Sequence, residues 1–194
     1  MSDNVALALT VLYCTMLVSA GYYLIAPFLP AQLALRSINS LFNASIFGVF
    51  NLSAIFVSFT GPGLVLSRCS KLSTLAAGAL IQASSLVAMG LASFMPGVPL
   101  FLALIHGCRL AQGVGEGLTY LVQYSILASL YPHKTALLST LISVAESIGN
   151  LLGPGLGAIL YQHLGYLGPF LVLGGAALLP GLLLALFFLR KSSE

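Results

Sequence analysis

The sequence predicts an all-α, polytopic membrane protein, half of a larger bundle type, with six transmembrane helices; three observations predict it. Apolar residues make up 59% of the chain and Asp, Glu, Lys and Arg together 6%, where a soluble domain carries roughly 25% charge to keep its surface hydrated. The apolar residues fall into six runs, each near the roughly 20 residues that a bilayer core demands at a rise of about 1.5 Å per residue. Short connections rich in Pro and Gly separate the runs, which leaves no room for a soluble domain or a low-complexity tail.

The first span is expected over residues 5–28. The Met-Ser-Asp-Asn start lacks the basic region of a cleaved leader, so this run is expected to stay in the membrane. It carries Tyr13 and the pair Tyr22 and Tyr23, which suit either a polar cavity or the headgroup interface. After Pro30 the second span is expected over 41–60, with Asn43, Asn51 and Ser58 near one side, closed by Gly61-Pro62-Gly63. The third is expected over 72–94 and ends before Pro96-Gly97.

The fourth span, 99–130, is long for one crossing and should tilt or extend beyond the hydrocarbon. It concentrates ionisable residues, which cost several kcal/mol in lipid unless they face protein or water. His106, Arg109, Gly113, Glu116, Tyr120 and Gln123 recur at helical steps of three and four, so they share one face against Leu, Ile, Val and Ala. The fifth span, 136–161, repeats the design with Ser139, Ser143, Glu146 and Asn150. Two carboxylates and one Arg on inward faces fit a water-lined cavity. Hydrogen-bonding glue between helices is the plainer reading, and it suits Asn51, Gln82 and Asn150, but at about 0.6 kcal/mol per bond it is a poor reason to keep full charges there. Gly149, Gly153 and Gly157 are spaced for close helix contact, Pro154 bends the span between them, and Gly113 and Gly115 permit contact beside the charges. The sixth span is expected over 167–189.

Basic residues set the orientation. Arg68, Lys71, Lys134, Arg190 and Lys191 fall on one side and Arg36 alone on the other, which puts both termini in the cytoplasm or its topological equivalent. The net charge of +3 is too small and scattered for nucleic-acid binding. Cys14, Cys69 and Cys108 form no disulfide or metal pattern, His133 and His163 read as solvated loop residues, and neither metal nor cofactor is expected. No nucleophile elbow, zinc-binding helix or phosphate loop is present, so the chain does not read as an enzyme.

Two motifs carry a family resemblance. Gly149-x-x-x-Gly153-Pro154-x-x-Gly157-Ala158 resembles the antiporter signature of the fifth span in the major facilitator superfamily, and Arg109-x-x-Gln112-Gly113-x-Gly115 is similar to its fourth-span motif. Together they resemble the N-terminal six-helix half of the drug–proton and vesicular-amine antiporter branch. The gating loop after span two is degenerate: Gly63, Arg68 and Lys71 remain, without the family's acidic residue, and Glu116 stands where the family usually has something small. The resemblance implies half of a secondary active transporter, exchanging protons through Arg109 and a carboxylate for a small organic, cationic solute held among Glu116, Glu146 and tyrosines. A full transporter has two such halves, so the expected partners are the lipid bilayer, the solute, and a second six-helix half (a homodimer copy or a separate chain) or a larger membrane complex. The alternative is a non-transporting accessory subunit derived from a transporter half.

Overall fold

The protein is described here in a computed structural model covering residues 2–191, with side chains over 4–182 and at Leu184. Met1 and the side chains of Arg190 and Lys191, which entered the reading of leader and orientation, lie outside the described residues. Helix α1 runs Ser2–Tyr23, α2 Leu29–Leu35, α3 Leu41–Leu64, α4 Lys71–Gly90, α5 Val98–Leu130, α6 Thr135–Leu164 and α7 Leu167–Lys191. Five of these helices, α1 and α3 to α6, are long and apolar enough to cross a membrane. Helix α7 is apolar over Leu167–Leu182, the stretch with described side chains.

The helix ends differ from the expected span ends for identifiable reasons. The first span was expected to run to Phe28, but α1 stops at Tyr23. Pro27 has no N–H to give the Tyr23 carbonyl, which takes the amide of Ala26 instead at 3.0 Å, and the chain tightens into turns. The short α2 follows, a seven-residue helix where a connection is expected between the first two spans. Conversely α3 passes through Gly61-Pro62-Gly63 and ends at Leu64, because one missing hydrogen bond does not end a helix that lipid and neighbours support on both sides. At the start of α4 the Ser70 hydroxyl accepts the Ser73 amide at 3.2 Å, a side-chain N-cap. Helix α6 stops at Gly165, whose φ of 68° is a left-handed conformation that glycine adopts without strain.

Helix α5 is the axis of the bundle. It packs on α3 and α4, α4 packs in turn on α7, and α1 packs on α6. Each close pairing rests on glycine. A Cβ added at Gly149, Gly153 or Gly157 would run into the backbone carbonyls of Met16, Ala20 and Leu24, so α6 lies directly on the backbone of α1. Gly113 and Gly117 meet Phe50 and Val57 of α3, and Gly115 faces Gly78 of α4. At the far end Phe28 stacks on Tyr161 with ring centres 4.8 Å apart, and Gln32 of α2 donates to the Tyr161 hydroxyl at 2.6 Å. Arg36 closes the same end by donating to the Ser93 carbonyl at 3.1 Å while lying 4.1 Å over the Phe101 ring.

Candidate functional site

The polar face of α5 does not open into one chamber; the structure divides it into four neighbourhoods. The first surrounds Arg109, which is fully buried. Its guanidinium donates to the Tyr22 carbonyl and to Gln112 Oε1, both at 2.9 Å. The Tyr22 carbonyl belongs to the last turn of α1, where carbonyls lack helical partners and the helix dipole is negative, so a cation is stabilised there. The rings of Phe47, Phe50 and Tyr22 surround the charge at 5.2, 5.4 and 5.7 Å. Both hydrogen-bond partners of Arg109 are neutral.

The second neighbourhood is a cleft of about 220 Å³ among four helices. Helix α1 contributes Ser19, Tyr22 and Tyr23, α3 contributes Phe50 and Asn51, α5 contributes Glu116 and Tyr120, and α6 contributes Asn150. Glu116 is 8% exposed. Ser19 is buried, and its hydroxyl lies toward that of Tyr120, which also faces Glu116, without closing a hydrogen bond. Tyr23, Asn51 and Asn150 are exposed, so the rim of the cleft is open. Tyr22 joins this cleft to the first neighbourhood, since its carbonyl holds Arg109 while its hydroxyl accepts from Asn51 at 3.0 Å.

Glu146 belongs to the third. Its carboxylate accepts from Gln123 Nε2 at 3.4 Å, and Gln123 Oε1 accepts from the Thr15 hydroxyl at 2.6 Å, a chain across α1, α5 and α6. Gln123 lies seven residues beyond Glu116, roughly 10 Å along α5. His106 is apart again, near the start of α5, with Nε2 2.9 Å from the Ser45 hydroxyl and Nδ1 2.8 Å from the Leu102 carbonyl.

Of the residues singled out in the sequence, Glu116, Tyr120 and Asn150 therefore meet in the cleft, while Arg109, Glu146 and His106 occupy separate sites. Gly149, Gly153, Pro154 and Gly157 lie along the α1 contact; Gly113 and Gly115 lie along α3 and α4. Gly63 at the end of α3 has open space around it, and Arg68 and Lys71 are exposed in the connection that follows. Gln82 fits a packing role: it is buried and donates to the Val18 carbonyl at 3.3 Å. Asn51, expected as a packing amide, lines the cleft instead. Ser19 and Phe50 escaped the sequence reading, although Thr15, Ser19 and Tyr22 fall on one face of α1 at helical spacing. Among the described residues no group of three His, Cys, Asp or Glu side chains could hold a metal ion.

A family model described as Major Facilitator Superfamily matches residues 11–194. The mouse and rat proteins named MFS-type transporter SLC18B1 are each 28% identical to the chain over 158 residues, 81% of this chain and 34% of theirs. The human protein of that name is 27% identical over the same length. The chain thus spans about a third of the length of these curated relatives, and the resemblance carried by the motifs of α5 and α6 is borne out.

Proposed function

Because the chain belongs to the major facilitator superfamily, as an integral, multi-pass membrane protein, we propose that it forms one six-helix half of a secondary transporter that exchanges protons for a small organic cation. One observation carries this reading: Glu116, an acid nearly sealed from its surroundings, lies in an open-rimmed cleft beside the aromatic side chains of Tyr22, Tyr23, Phe50 and Tyr120. A carboxylate among aromatic faces attracts a cation by charge and by ring quadrupole together. The relatives are named as transporters of this superfamily, which supports the same class.

In this reading Glu116 binds solute and proton alternately. Glu146, held by Gln123, is the second proton-carrying acid, and Arg109 is a fixed charge that keeps the end of α1 in place. The exposed rim at Tyr23, Asn51 and Asn150 is where a second six-helix unit completes the cavity, supplied by another copy, another chain or a larger complex. Both termini lie on the cytoplasmic side or its equivalent.

The test is uptake of radiolabelled organic monocations into vesicles carrying the protein with its native partners, driven by a pH gradient. The parent accumulates at least one of them, and Glu116→Gln and Glu146→Gln each abolish gradient-driven accumulation with unchanged protein levels. Normal uptake by both variants would remove the coupling role from these acids. A parent that moves no cation, within a complex of many unrelated subunits, would instead favour the accessory reading.

A further inference from the structure

The cleft holds a feature that its charge alone does not explain, namely an unusual supply of free hydrogen-bond acceptors. Asn51 makes two hydrogen bonds, and both use Nδ2, one to the Phe47 carbonyl and one to the Tyr22 hydroxyl, each at 3.0 Å. A carbonyl oxygen only accepts, so the atom facing Phe47 must be the nitrogen, and the side-chain amide has one orientation. Both its hydrogens are then engaged, and Oδ1 is the side-chain atom left free on this cleft-lining residue. Ser19 of α1 adds a second acceptor: it is 3% exposed, lines the same cleft, and has lone pairs free beside the Tyr120 hydroxyl. The Glu116 carboxylate completes a set of three acceptors from α1, α3 and α5.

We propose that Asn51 and Ser19 are specificity-determining residues of this cleft, which select cations that donate hydrogen bonds, such as protonated primary amines, over quaternary ammonium ions of equal charge. This rests on the cation-binding reading of the same cleft. Charge and aromatic faces attract both classes of cation, because neither term requires an N–H. Acceptors distinguish them. An ammonium with three N–H groups satisfies the Asn51 and Ser19 oxygens together with Glu116, whereas a trimethylammonium displaces water from all three and returns no hydrogen bond. Sites built to hydrogen-bond a ligand reject analogues that lack the group, since buried polar atoms, here those of Ser19 and Glu116, are then left unpaired, while Asn51 adds direction at the rim.

The probes are phenethylammonium and its N,N,N-trimethyl analogue, which share ring, linker and charge, with binding to the purified native complex measured by calorimetry. The parent is expected to bind the primary ammonium at least tenfold more tightly. Ser19→Ala, checked to elute and unfold as the parent does, should cut that preference at least threefold by weakening the primary ammonium alone. Asn51→Leu should do the same, provided its elution profile and unfolding temperature match the parent; if it fails to fold, the parent ratio and Ser19→Ala decide. Equal affinity for the two probes in the parent, or a preference undiminished in Ser19→Ala and in folded Asn51→Leu, would overturn the inference. Equal affinity that still depends on Glu116 would overturn it while leaving the cation site standing. Failure of both probes to bind would overturn the two together.

Discussion

Arg109 shows what a single charge does in this fold. It is buried completely, yet it is held by a carbonyl, an amide and three rings, and in that position it acts as a cap on α1. A planar guanidinium reaches the Tyr22 carbonyl and Gln112 at once, whereas a lysine ammonium is a point charge on a flexible stem. Arg109→Lys should therefore destabilise the bundle by about 1–3 kcal/mol, the cost of one buried acceptor left unpaired. Thermal unfolding in detergent measures this, and a variant that unfolds with the parent would show that the cap is dispensable. That Arg109 and Glu116 face inward was legible in the sequence, since a charge in an apolar run can go nowhere else. Their partners were not legible. Helical periodicity says which side a residue faces but not which residue of another helix faces it, so the Tyr22 carbonyl that holds Arg109 carries no signal in its spacing.

At the scale of the helix, glycine position separates contact from ornament. Gly153 and Gly155 stand two residues apart on α6, but only the first lies against α1; a Cβ at Gly153 meets the backbone of Ala20, while one at Gly155 meets nothing. Gly153→Leu should force α1 and α6 apart and lose the monodisperse species in size-exclusion chromatography. Gly155→Ala should be neutral or stabilising by up to about 1 kcal/mol, because alanine orders a helix at less entropic cost. The reverse pattern would refute the close contact. The long helices were legible because runs of apolar residues near bilayer length have few alternatives. The end of α1 at Tyr23 and the seven-residue α2 were not, since Pro27 sits inside an unbroken apolar run and one short turn of helix leaves no periodic signature. The cleft was half legible: its acid and Tyr120 stand out on α5, but Ser19, Phe50 and Asn51 join them only through the pairing of α1 and α3 with α5.

For the whole molecule, the open rim of the cleft makes completeness the first question, and the mass of the native complex in mild detergent answers it. Two copies, or one copy with another six-span chain, would complete a cavity; a large assembly of unrelated subunits would point to the accessory role. Orientation has a probe already in place. Cys69 is exposed between α3 and α4, whereas Cys14 and Cys108 are buried. A membrane-impermeant maleimide should label Cys69 in sealed vesicles whose outer face is cytoplasmic and spare it in vesicles of the opposite sense; the opposite result would invert the topology. The contact between α1 and α6 also imposes an order on biosynthesis. The groove that receives Met16, Ala20 and Leu24 does not exist until residues 149–157 have left the ribosome, so the packing of α1 is completed only after α6 is made. Until then the backbone carbonyls of Met16, Ala20 and Leu24 lack their cover, and a chain stalled before α6 displays to the cell's quality control a face that the finished protein hides.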